Sequence, residues 1–150
     1  IMLGMPSDIF SDAWFQIVPE TQFNTIHHDD NLFITEKSMR PFAVGQPAIW
    51  LARRGAVKYL QDLGYETFPD IFDESYDDIV DDKERFEFVI DQIKYWLNQD
   101  EKTIHQTYMS VIDRLKSNQQ HCYNNFNNVQ LQKSVLQLFS NIADNDKREL

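Results

Sequence analysis

Short apolar runs alternate with helical patterns over the first half of the chain, whereas the second half carries helical periodicity alone. Ala13 to Val18 (AWFQIV), closed by Pro19, reads as a strand, as do Ala48 to Leu51 and Tyr65 to Phe68. Between them, Thr35 to Val44 reads as a short helix and Ala56 to Leu63 as a second one ended by Gly64. Thr35 can cap the first helix, because its hydroxyl accepts from an otherwise orphan amide, and Gly45 can supply the left-handed stop. Pro41 lies inside that helix, removes one ladder bond and should bend it. Strand and helix in turn predict a parallel sheet with crossover connections.

In the second half, Phe86, Val89, Ile90, Ile93 and Leu97 fall on one face of a helix from about Asp82 to Gln99. Ile104, Tyr108, Val111, Ile112 and Leu115 form the stripe of the next helix, and Leu131, Val135, Leu138, Phe139 and Ile142 a third. The polar stretch Gln119 to Asn128 (QQHCYNNFNN) reads as a loop, with Tyr123 and Phe126 either anchoring it or continuing a long helix. The acidic stretch Asp70 to Asp82 reads as a solvated boundary between the halves, with Asp81 or Asp82 capping the helix of the Phe86 stripe. The expected class is α/β in a single domain over residues 1–150: an α/β core over 1–75 and a helical extension over 76–150 packed on it.

Charge adds a location. The chain carries a net charge of −10 over 150 residues, yet all five basic residues of its first 75 positions, Lys37, Arg40, Arg53, Arg54 and Lys58, fall between residues 37 and 58. The overall acidity argues against nucleic acid or an anionic membrane as partner of the whole surface, while leaving a local anion site open. No apolar run approaches the roughly 18 to 20 residues of a membrane span, and no signal peptide is visible. One cysteine, Cys122, excludes an internal disulfide and fits a reducing compartment, so the expected location is cytoplasmic. The chain opens on Ile1-Met2, which leaves room for a longer parent.

Glu36 and Lys37 are the sharpest candidates. A lysine in the first turn of a helix is unfavourable by about 0.3 to 1 kcal/mol, because the dipole there is positive, and an anionic ligand reverses that sign. The neighbouring carboxylate can accept from two hydroxyls, as acidic residues do with ribose. The plain alternative is a solvated Glu-Lys doublet at a helix start. Arg53 and Arg54, before Gly55, either add to this site from a neighbouring strand end or are ordinary surface charge.

With Glu20-Thr21 at a strand end, Thr35-Glu36-Lys37 opening a helix, and Gly45 with Pro47 at the turn into an apolar strand, the segment Trp14 to Leu51 resembles the donor-binding half of GT-B glycosyltransferases. It is most similar to the α-1,3-fucosyltransferase family. The resemblance implies a Rossmann-like sheet and a nucleotide-diphosphate sugar as ligand. Glu36 would then hold the ribose hydroxyls and Lys37 the diphosphate, with Phe33 lining the nucleotide pocket and Glu20, Thr35 and Arg40 completing the donor site. It also implies an acceptor site and catalytic base on a missing N-terminal domain or a partner subunit, and neither a metal nor another cofactor.

His27, His28, Asp29 and Asp30 suit divalent ions by type, but neighbours on an extended segment point to opposite sides, and a polar loop is the simpler reading. The acidic residues from Asp73 to Asp82 lack the glycine turn and terminal glutamate of a calcium loop. Cys122 beside His121 makes no nucleophile and base pair by adjacency. Nucleophile elbows, Walker loops and dinucleotide fingerprints are absent from a chain with four glycines. A binding or assembly module, using the acidic surface and an exposed apolar stripe over residues 104 to 142, is the rival to donor binding.

Overall fold

A computed structural model describes residues 13–24, 32 and 34–126. In chain order the elements are β1 (Gln16–Pro19), α1 (Glu36–Val44), β2 (Ala48–Leu51), α2 (Ala56–Asp62), a 3-10 turn (Glu74–Asp78), α3 (Asp82–Leu97), α4 (Glu101–Ser110) and α5 (Ile112–Phe126). The fold is mixed α/β. Among the described residues, β1 and β2 form a two-stranded parallel sheet, with Gln16 opposite Ala48 and Pro19 opposite Leu51.

The ends of α1 follow from local chemistry. Thr35 adopts an extended conformation and its hydroxyl accepts from the Lys37 amide at 3.3 Å. At the other end Gly45 sits at φ +72°, donating to Phe42, while Gln46 donates to Pro41. This is the Schellman arrangement, and it satisfies carbonyls that would otherwise be orphaned. Pro41 is accommodated inside the helix and buried. Gln46 then bridges to the start of β1, donating to the Ala13 carbonyl and accepting from Gln16 at 2.6 Å each.

β2 is the buried strand, whereas β1 alternates, with Val18 inside and Ile17 42% exposed. Phe42 stacks on Tyr65 at 4.2 Å, and Trp50 lies parallel to Phe68. Each such ring taken out of water stabilises by about 1.5 to 3 kcal/mol. The outer edges of the sheet are modified. The Trp50 amide donates to the Tyr76 hydroxyl, and Gln16 and Glu20 donate toward β2. Alternation therefore turns the Ile17 and Pro19 positions outward, and proline has no amide hydrogen.

Tyr65 to Phe68 is not a third strand. Its backbone groups are bonded mainly to side chains: Asn118 pairs with both the amide and the carbonyl of Glu66, Arg114 donates to the Thr67 carbonyl, and Glu74 accepts from the Phe68 amide. Tyr65 itself donates to the Leu60 carbonyl.

The acidic stretch is likewise not a solvated linker throughout. Asp77 is buried and accepts from the amides of Val57 and Lys58, capping the short helix α2, whose Gly55 contributes no side chain. Asp81 caps α3 by accepting from the Glu84 amide, as one of the two expected caps.

The buried row of α3 is Arg85, Val89, Ile93 and Trp96, so Phe86 and Leu97 of the predicted face are exposed instead. The predicted helix through Ile104 and Leu115 breaks at Val111 into α4 and α5. At the break the Ser110 hydroxyl donates to the Thr107 carbonyl, a back-bond that bends helices.

The polar stretch from Gln119 is not a loop but, as in the second reading, continues the helix as far as Phe126. Its side-chain amides have partners outside the helix and within it: Gln119 donates to the Ala43 carbonyl, and Gln120 to Asn124 at i+4. The third stripe, Leu131 to Ile142, lies outside the described residues.

Candidate functional site

In a parallel β-α-β unit the helix starts at the carboxyl edge of the sheet, and this edge gathers most of the predicted residues. Glu20 follows β1 directly and is 7% exposed. Its carboxylate accepts from the Ser38 hydroxyl at 2.6 Å, the Thr35 hydroxyl at 2.7 Å, the Thr35 amide at 3.1 Å and the Thr21 amide at 3.4 Å. Burial alone would raise its pKa, but the hydrogen bonds from Ser38 and Thr35 outweigh it and hold the group below its ordinary value. The α1 terminus therefore already holds an anion, and it is internal. With the Lys37 amide on Thr35 and the Ser38 amide on the Thr35 carbonyl, these backbone donors do not form an open phosphate seat.

The groups that face outward are side chains. Lys37 is half-buried, with its Nζ 3.5 Å from the Thr21 hydroxyl, and Glu36 beside it is exposed. Arg53 reaches the same edge from the end of β2, its amide donating to the Gln22 carbonyl at 3.2 Å, and Arg54 next to it is exposed. Arg40 is one turn further along α1, and its Nε donates to Gln16 at the amino end of β1. It thus turns away from the edge. Phe33 lies outside the described residues, as do His27, His28, Asp29 and Asp30. Among the described residues no cluster of three or more His, Cys, Asp and Glu has the geometry to hold a metal ion.

Two residues of this edge were not singled out from the sequence. Ser38 completes the clasp on Glu20, and its signal is a small hydroxyl in the first helical turn. Arg85 is 1% exposed and joins three segments. Its guanidinium donates to the carbonyls of Phe23 at 2.8 Å, Ile79 at 2.9 Å and Ala52 at 3.3 Å, pairs with Asp82 at 2.6 Å, and lies 4.7 Å from the centre of the Phe23 ring. Four of its five N–H donors are thereby engaged and the charge is paired, as a buried charge requires. Its sequence signal is the spacing that places it in one row with Val89, Ile93 and Trp96.

Away from this edge, burial raises the carboxyls of Glu74 and Asp77 above their ordinary range despite the backbone bonds they accept. Burial also raises the thiol of the fully buried Cys122, which suits a packing role. Of the expected apolar stripe, Val111 and Leu115 are buried as well, and Ile104, Tyr108 and Ile112 are partly buried against the core. No helix among the described residues is long and apolar enough to cross a membrane.

Comparison with known proteins found no matching family model, no matching curated protein and no matching solved structure.

Proposed function

We propose that the carboxyl edge of the sheet binds the diphosphate and ribose of a nucleotide-diphosphate sugar, in the manner of the donor-binding half of a GT-B glycosyltransferase. The observation that carries this reading is the division between two carboxylates. Glu20 is committed to Thr35 and Ser38 inside the protein, which leaves Glu36 as the exposed acid beside Lys37. An ammonium on one side and a free carboxylate on the other match a ligand with an anionic diphosphate and a diol. Arg53 and Arg54 add positive charge from the β2 side.

The Rossmann-like reading of the β-α-β unit belongs to the same proposal, as does the role of Glu20 and Thr35 in framing the edge. Sugar transfer would need an acceptor domain or partner subunit supplying the general base, with Lys37 stabilising the departing diphosphate. The binding-module reading needs an exposed apolar stripe over residues 104 to 142, and burial of Val111, Leu115 and Cys122 removes part of it.

Calorimetric titration of the chain with GDP, UDP and GDP-fucose at low salt tests the proposal. Saturable binding that is lost in Lys37→Ala and weakened in Glu36→Ala is the expected result. Binding unchanged in both variants, or no binding by the folded protein at millimolar ligand, would sink it.

A further inference from the structure

We infer that Phe86, backed by Phe23, forms the subsite on which the base of the bound nucleotide stacks; this rests on the nucleotide reading above and extends it to the part of the ligand that Glu36 and Lys37 do not reach. Phe86 is 45% exposed on the first turns of α3, a position that its helical stripe would bury. Its ring meets that of Phe23 edge to face, with centroids 5.9 Å apart and planes at 86°. Phe23 in turn is fixed from behind, since the buried Arg85 guanidinium lies over its ring and donates to its carbonyl. A half-exposed aromatic held by a rigid neighbour loses little freedom when a flat ligand settles on it.

The platform is also placed for this ligand. Phe23 lies two residues beyond Thr21, which meets Lys37, and directly after Gln22, which accepts from the Arg53 amide. Residues 21–23 therefore run from the contacts of Lys37 and Arg53 to the ring that Phe86 meets. Around Phe86 the charge is different: Asp81, Glu84 and Glu87 outnumber the exposed Lys83 at the start of α3, while Asp82 is paired with Arg85. An anionic diphosphate is disfavoured there and a neutral base is not, so the ligand has one polarity along the edge, phosphates toward Lys37 and base toward Phe86. Stacking on an aromatic face is tolerant of base identity.

The test compares two probes, inorganic pyrophosphate and the nucleoside diphosphates GDP and UDP, on the wild-type chain and on Phe86→Ala, Phe86→Trp and Lys37→Ala. Because Phe86 is exposed, its variants should fold, and circular dichroism with thermal denaturation checks this. The expected result is that Phe86→Ala weakens GDP and UDP alike, by roughly 5- to 100-fold, while pyrophosphate binding stays the same and Phe86→Trp restores nucleotide binding. Lys37→Ala should weaken all three ligands. Nucleotide binding unaffected by Phe86→Ala, or nucleotide and pyrophosphate weakened equally, overturns the stacking subsite and leaves the nucleotide reading standing. A wild-type chain that binds no nucleotide overturns both.

Discussion

Removing the Glu20 carboxylate should destabilise the protein by about 3 kcal/mol at neutral pH. The figure starts from its partners: the Thr35 amide and the hydroxyls of Thr35 and Ser38, the last on a fully buried residue. Hydrogen bonds to a charged acceptor are worth about 1.5 to 3 kcal/mol each but do not add, and an anion at a helix start contributes roughly 0.3 to 1 kcal/mol more. Glu20→Ala leaves the Ser38 hydroxyl without its carboxylate in a closed space. Glu20→Gln keeps the shape and one acceptor oxygen, so it should cost about 1 to 2 kcal/mol.

The assay is urea denaturation at two pH values. At neutral pH the Ala variant should also melt roughly 6 to 12 °C below wild type, at about 2 to 4 °C per kcal/mol for a chain of this size. The folded pKa of Glu20 lies below its ordinary 4.5. Its contribution is therefore complete above the unfolded pKa and is lost as pH falls through the folded one. The gap between wild type and Glu20→Gln should accordingly narrow as the pH is lowered to about 3. A Gln variant as stable as wild type at neutral pH, or a gap that persists in acid, would refute the reasoning.

Two further predictions concern the backbone. Asn118→Leu removes the partner of both polar groups of Glu66 and should cost about 2 to 4 kcal/mol, whereas Asn118→Asp keeps the acceptor but loses the donor and should cost roughly half; chemical denaturation at neutral pH separates them. Gly64 and Gly55 both have positive φ, +90° and +84°, but a Cβ at Gly64 would stand 3.1 Å from the His121 ring while one at Gly55 meets nothing within 4 Å. Alanine should therefore cost about 1 to 2 kcal/mol at Gly55 from backbone strain alone and measurably more at Gly64, a ranking that thermal melts of the two variants decide.

What was legible in the sequence is what short-range chemistry determines. Thr35 and Gly45 bound α1 because a hydroxyl and a left-handed glycine act within a few residues of themselves. β2 was readable because a strand covered on both faces is apolar throughout. Tyr65 to Phe68, with aromatic ends around Glu66 and Thr67, also reads as a short strand, yet its backbone is satisfied by Asn118 and Arg114 from a helix about fifty positions later, and no local pattern announces that. The acidic run misled for a related reason: Asp77 and Glu74 read as solvated charges until the amides they accept from, on α2 and at Phe68, are known. At the candidate site, the Glu36 and Lys37 pair stood out by position. The internal anion at the head of α1 did not, because Glu20 and Thr35 are fifteen residues apart and only folding shows that their side chains meet.

The modified outer edges of the sheet bear on how the chain can associate. A strand approaching β1 along its outer side would find, at Pro19, a position with no hydrogen to offer. One approaching β2 would find the Trp50 amide already taken by a phenol. Strand addition, the route by which exposed sheets recruit peptides, swap domains or seed fibrils, is thus discouraged on both flanks. Among the described residues, helix and loop surfaces are thereby left as the easier ground for association than strand pairing.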